Sequence, residues 1–166
     1  MHLTAKNLLL NLVYYAVTVV VAPMICVGID ARWGLSPPTS SWILKTASML
    51  LAAAGAGLQF WCIVLFQRLG RGTPSPAIPP LRLVTAGPYR LIRNPMNLGE
   101  LSVFVGLSGW FASPALLLYT AVAAIAFHLF VVYWEEPAHV RRFGEPYTRY
   151  RKCTGRWLPR VRTGGG

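Results

Sequence analysis

Apolar residues gather along this chain into four long runs, separated by shorter stretches that hold nearly all of the polarity. The first run covers about residues 8–29 and the second about 43–66. Each is close to the roughly 20 residues that an α-helix needs to cross a hydrocarbon core. The third and fourth share the long stretch 97–134, which Ser113-Pro114 interrupts. Proline disfavours helical backbone in the residue before it, so the pattern predicts helices over 97–112 and 115–134. The third run is short and carries Asn97, Glu100 and Ser102. A tilted helix that lines a cavity suits it better than one facing lipid. The pattern therefore predicts an all-α, multi-pass membrane protein of about four helices, forming a single membrane domain over 1–166. A cytosolic loop, 67–96, and a cytosolic tail, 135–166, would cover one side of it.

The basic residues orient this arrangement. Arg68, Arg71, Arg82, Arg90 and Arg93 fall in or beside the 67–96 loop. Arg141, Arg142, Arg149, Arg151, Lys152, Arg156, Arg160 and Arg162 fall in the tail. The 30–42 loop balances Asp30 against Arg32, and the turn at 113–114 is uncharged. Basic segments stay on the cytoplasmic side, so both termini are expected to be cytosolic. The expected location is a cytoplasmic membrane of bacterial type.

Within the second run, LAAAGAG (51–57) sets small residues four apart, Ala52 with Ala56 and Ala53 with Gly57. That spacing permits close approach of two membrane helices. GRGTPSPAIPPLRLVTAGPY (70–89) is rich in Pro and Gly and reads as a stiff extended loop rather than a helix. The tail segment RRFGEPYTRYRKCTGRWLPR alternates basic and aromatic residues. It reads first as an interfacial anchor, with Tyr147, Tyr150 and Trp157 at headgroup level. The terminal TGGG is expected to be disordered.

Composition agrees with the pattern. The chain has 166 residues, of which 54% are hydrophobic and 13% charged. Its mean hydropathy is +0.46. A soluble domain of this size has too much surface to be so apolar. The net charge of +11 would suit nucleic acid, but the charges flank apolar spans, and no nucleic-acid partner is expected. Cys26, Cys62 and Cys153 form no CxxC pair, so neither a zinc site nor a disulfide framework is indicated. The apolar run at the N-terminus is too long for a signal-peptide core and is expected to be a retained helix.

Two polar clusters fall at helix ends on the same predicted side. One is Arg93-Asn94-Pro95-Met96-Asn97, leading into the third run. The other is Trp134-Glu135-Glu136-Pro137, leaving the fourth. Runs three and four form a hairpin, so the clusters should meet. Two readings stand. Glu135 and Glu136 cap a solvated helix end and pair with Arg141 or Arg142, an arrangement of little energetic worth. Alternatively, carboxylates, amides, guanidiniums and the rings of Tyr89 and Trp134 form a pocket for a zwitterionic or cationic small molecule. His128 in the fourth run is expected to make a hydrogen bond between helices. His2 and His139 have no partners at metal-ligand spacing, and no metal site is expected. No glycine-rich dinucleotide fingerprint or nucleophile elbow is present.

LVTAGPYRLIRNPMNLGE followed by VVYWEEPAHVRRFGEPYTRYRKCTGRWLPR resembles the integral-membrane methyltransferases. These include the isoprenylcysteine carboxyl methyltransferases and the phospholipid N-methyltransferases. The shared blocks are Gly-x-Tyr, Arg-His/Asn-Pro, a helical hairpin, Glu-Glu and Phe-Gly-x-x-Tyr-x-x-Tyr, in one order over about residues 70–160. The resemblance implies a helical membrane enzyme that uses S-adenosylmethionine on the cytosolic side. Its acceptor would be a lipid or other amphiphile entering from the bilayer. Carried over, the cofactor-binding candidates are Tyr89, Asn94, Pro95, Met96, Asn97, Glu135 and Glu136, with Arg71, Gly72 and Thr73 toward the cofactor's amino-acid end. Glu136 is the candidate general base for an amine acceptor. Arg93 or Arg142 would position an anionic one. Asn94 stands where the carboxyl methyltransferases have His, and Asn97 where both branches have Tyr, so the acceptor cannot be carried over from either branch. The competing readings are an NADPH-dependent membrane reductase, which the basic loop favours and the Glu-Glu pair opposes, and a non-enzymatic scaffold or transporter subunit.

Overall fold

The computed structural model describes residues 13, 16–35, 41–70 and 81–160. The expected residues Arg71, Gly72 and Thr73, the start of the first run and the terminal TGGG lie outside them. Helix α1 is Ala16–Trp33 and α2 is Trp42–Gly70. Helix α3 is Pro95–Trp110, α4 is Pro114–Phe143 and α5 is Glu145–Cys153. The described chain is all-α.

Three of these helices, α1, α2 and α4, are long and apolar enough to cross a membrane. The third expected span does form a helix, α3, but with 16 residues. At 1.5 Å per residue that is about 24 Å, short of the roughly 30 Å hydrocarbon core. Its burial differs as well. Gly99, Glu100, Val103, Phe104, Gly106 and Ser108 of α3 are all buried. By contrast, Trp42, Phe60, Leu118 and Ile125 on the long helices are 61–74% exposed. An outer surface this apolar belongs in lipid. The long helices meet the bilayer, and α3 is packed among them.

Small residues make the α2–α3 contact, though not in the expected pairs. Gly55 backs directly onto α3: a Cβ there would stand 2.5 Å from the Gly99 carbonyl oxygen. One on Gly106 would stand 2.5 Å from the Ser48 carbonyl and 2.7 Å from the Ala52 nitrogen. The buried face of α2 is Ser48, Ala52, Gly55 and Cys62. Ala53, Ala56 and Gly57 point away from it. The 3.6-residue period, not the pairing at four, selects the face.

The hairpin between α3 and α4 breaks at Ser113-Pro114, as the sequence predicts. Ala112 takes a positive φ of 48° there. Asp30 does not behave as a loop charge. It lies in the last turns of α1, fully buried, and accepts hydrogen bonds from the Ser113 hydroxyl and, at 3.2 Å, from the Ala115 N–H. Ser113 accepts in turn from Leu116 N–H at 3.1 Å. Asp30 thus satisfies the exposed donors at the start of α4 from a neighbouring helix. One turn in, the Thr120 hydroxyl lies 3.4 Å from that of Ser108, joining α3 to α4.

The fourth run was expected to end at 134, but the helix continues to Phe143. Pro137 would normally break it, having no N–H and a ring that crowds the preceding turn. Residues Val131–Glu135 widen into a π turn, and Glu136 N–H bonds back to the Val131 carbonyl, five residues away. A wide turn of this kind accommodates the proline without ending the helix. It also carries Glu135 and Glu136 on a continuous rod rather than a tail.

The close α2–α3 contact sets a test. Gly106→Val should lower the melting temperature in detergent by several degrees, since overpacking costs roughly 1–3 kcal/mol. Gly57→Ala, where a Cβ meets nothing within 4 Å, should leave it unchanged or slightly raised. Equal melting of the two variants would contradict the packing.

Candidate functional site

The chain leaves α2 at Gly70 and rejoins the described structure at Leu81, whose N–H donates to the Gly70 carbonyl at 2.8 Å. It then turns through Gly87–Arg90, a single 3₁₀ turn. Gly87 takes a φ of +59°, and a Cβ there would press on the Leu65 side chain at 2.8 Å. The turn seats Tyr89 in an apolar cluster with Cys62 and Val84, against Met96 and Phe66. The Tyr89 and Phe66 rings meet edge to face at 5.4 Å. Burial, then the nearby Cys62 thiol, pushes the Tyr89 phenol well above its ordinary range, so it is neutral.

Next to this cluster stands a buried ion group. Glu136 Oε1 pairs with Arg93 Nη2 at 3.0 Å, and both side chains are more than nine-tenths buried. Arg156 grips the same carboxylate with two hydrogen bonds, Nε to Oε1 at 2.7 Å and Nη2 to Oε2 at 3.0 Å. This forked contact is the strong form of an Arg–carboxylate pair. The hydrogen bond to Glu136 raises the Arg156 pKa further, so its charge is permanent. The reading in which Glu136 caps a solvated helix end and pairs with Arg141 or Arg142 is therefore overturned: burial puts it out of their solvated surface, and its partners are Arg93 and Arg156.

Arg156 comes from the tail, which is strapped across the mouth of the α3–α4 hairpin. Arg93 N–H donates to the Gly155 carbonyl at 2.8 Å, and Ile92 and Gly155 form a parallel bridge. Asn94 occupies the N-cap position of α3, yet makes no cap hydrogen bond. Its Nδ2 donates instead to the Arg156 carbonyl at 3.2 Å. The Tyr150 hydroxyl donates to the Tyr89 carbonyl at 2.6 Å. Trp157 Nε1 donates to His128 Nδ1 at 3.1 Å.

These contacts change the reading of the tail aromatics. Tyr147 is 3% exposed rather than at headgroup level, and burial pushes its phenol up to about 12. Trp157 and Tyr150 are half-buried against the hairpin. His128 does make the expected type of hydrogen bond, but to the tail instead of another helix.

Of the predicted site residues, the structure brings together Arg93, Asn94, Glu136 and Tyr89. Pro95 is fully buried behind them. Met96 and Asn97 are half-buried, and Glu135 is half-buried beside Glu136. Trp134 is 71% exposed and turns outward. Arg142 is exposed, with its guanidinium 5.8 Å from the Phe143 ring, and is not brought to the ion group. Arg156 was missed by sequence reasoning, which counted it only among the tail's basic residues. Its one local signal is the preceding Gly155, where the tail folds back on itself so tightly that a Cβ would clash with the Leu158 carbonyl.

A model of the phospholipid methyltransferase family matches residues 43–146. The chain belongs to that family. No curated protein matches it. Membership makes the chain a membrane methyltransferase, in agreement with the resemblance of the two polar blocks. The matched segment of this methyltransferase contains Arg93, Asn94, Glu135 and Glu136 but stops short of Tyr147, Tyr150 and Arg156. The strap that closes the ion group lies beyond it.

The network predicts that Glu136→Gln frees the tail. Leaving buried Arg93 without its counter-ion should cost about 3–5 kcal/mol. Trypsin should then cut at Arg151 and Lys152 markedly faster than in the unmodified protein. Unchanged cleavage would show that the carboxylate does not hold the strap.

Proposed function

We propose that the chain transfers the methyl group of S-adenosylmethionine to a lipid or similar amphiphile, at the cytosolic ends of α3 and α4. The observation that supports the cofactor is at Arg93. Its Nη2 pairs with Glu136, but Nε and Nη1 are buried with no hydrogen-bond partner among the described residues. Buried donors of this kind are costly unless something satisfies them. A carboxylate does so with charge-assisted bonds, and the amino-acid end of S-adenosylmethionine carries one. The residues present fit the cofactor.

When bound, S-adenosylmethionine supplies a methyl group on a sulfonium, open to in-line displacement. In this reading Arg93 holds the carboxylate, with Gly72 and Thr73 close by in sequence to the loop that precedes it. Asn94, Pro95, Met96 and Asn97 form the wall at the start of α3. Glu135 receives the cofactor's ammonium or ribose hydroxyls. Glu136 has both oxygens taken by guanidiniums, so a proton would have to displace one of them. It acts as a positioning residue for Arg93 and Arg156 rather than as a general base. Alignment of acceptor and methyl is the main requirement of the displacement, and a rigid ion group beside the cofactor supplies it. The acceptor's apolar part stays in the bilayer alongside the outward faces of the long helices.

Two measurements check this. Arg93→Lys keeps the charge facing Glu136 but has no group in place of the guanidinium Nε and Nη1. It should weaken S-adenosylhomocysteine binding about tenfold or more by calorimetry, with melting retained, since hydrogen bonds to charged groups are worth about 1.5–3 kcal/mol. Unaltered affinity would remove Arg93 from the cofactor site. Separately, membranes holding the protein should pass label from methyl-labelled S-adenosylmethionine into the lipid extract. Label found only in protein would reject a lipid acceptor.

A further inference from the structure

Residues 141–160 hold one acid, Glu145, among seven Lys and Arg. The fold sorts these charges. Arg156 turns in to Glu136, and Arg149 lies 3.6 Å from Glu145 at the surface. Tyr147 and Tyr150 take the inner face of α5. Arg141, Arg142, Arg151, Lys152 and Arg160 are all exposed. The Arg160 guanidinium donates to the Lys152 carbonyl, which brings the end of the strap back to the end of α5. The one surface acid is already matched by Arg149, so the outer face of this segment is left basic.

The strap also has a fixed depth. Trp157 donates to His128, which stands on the exposed surface of α4, a helix long and apolar enough to cross a membrane. His128 lies eight residues before Glu136, so the strap descends about 12 Å along α4 from the ion group, toward the bilayer. Leu158, the next residue, is 77% exposed, and Leu91, beside the Ile92–Gly155 bridge, is 61% exposed. A headgroup layer accommodates this combination, with the leucines and the indole at the acyl boundary and the cations among the phosphates. Each base held near an anionic leaflet strengthens attachment about fivefold. We propose that the outer face of α5 and the strap dock on the headgroups of anionic phospholipids, and that this docking keeps the strap closed over the ion group. Arg156 lies between α5 and Leu158 in the chain, so lipid contacts on both sides favour its hold on Glu136. A strap released from Glu136 gives up those contacts, and that difference in affinity shifts the equilibrium toward closure. The surface stands apart from the cofactor reading and does not depend on it.

The test places the full chain in nanodiscs of phosphatidylcholine, with or without phosphatidylglycerol, and follows amide hydrogen exchange. The Arg93 N–H, which donates to the Gly155 carbonyl, reports closure of the strap. Its exchange should slow about fivefold or more when phosphatidylglycerol is present, and high salt should abolish the gain. Arg151→Gln combined with Lys152→Gln should remove most of that gain while leaving exchange in phosphatidylcholine unchanged, both side chains being exposed. Heparin added to phosphatidylcholine nanodiscs should not reproduce the gain. If it does, the surface takes any polyanion and lipid docking is rejected. Equal exchange in the two lipids, or a full gain in the double variant, overturns the proposal. S-adenosylhomocysteine binding measured in the same nanodiscs keeps a failure of the methyltransferase reading separate.

Discussion

One carboxylate joins three parts of the chain. Glu136 sits on the continuation of α4, Arg93 on the approach to α3 and Arg156 on the tail. An ion group this buried is not a cheap source of stability. Its attraction does little more than offset the desolvation of the charges, while loss of any one member leaves the others stranded. Its consequence is specificity of arrangement. With the carboxylate in place, the Gly155 and Arg156 carbonyls meet Arg93 N–H and Asn94 Nδ2, and the strap has one register. The cofactor contacts proposed for Arg93 depend on that register, because its remaining donors are positioned by the pairing of its Nη2.

The helical frame allows such polarity by separating tasks. Helices α1, α2 and α4 present apolar side chains to lipid, and the shorter α3 is enclosed against them. Close backbone contact at Gly55, Gly99 and Gly106 brings α3 to α2 without bulky side chains. Packing of this kind replaces the hydrophobic driving force that helices lack inside a membrane. It leaves the other side of α3 for Glu100 and for hydrogen bonds such as that between Ser108 and Thr120. A buried polar face on α3 is affordable only because lipid does not reach it.

The polar blocks RNPMN and WEEP were legible as neighbours, since a hairpin brings its ends together. Their partners were less so. Arg156 lies 62 residues from Asn94 and 20 from Glu136, with nothing periodic linking them. The tail's alternation of basic and aromatic residues fits a membrane surface as well as it fits a strap. Tyr147 and Tyr150 therefore read as anchors, although the fold turns them inward. Asp30 was misplaced for a related reason. A lone acid at the end of an apolar run looks like a loop charge until the start of another helix is seen against it.

By itself the sequence determined that this chain is helical, belongs in a membrane and carries its polarity at helix ends. Those properties follow from composition and from local periodicity, which lipid and backbone hydrogen bonding enforce on any segment regardless of its neighbours. Only the tertiary structure decided which face of α2 meets α3, that α4 survives Pro137 through a π turn, that Arg156 rather than Arg142 completes the ion group, and that Glu100 lines a cavity. Each of these depends on pairing between residues far apart in the chain. Such pairing is selected by the total cost of burying charge and filling space, and that cost is defined only once the helices are together.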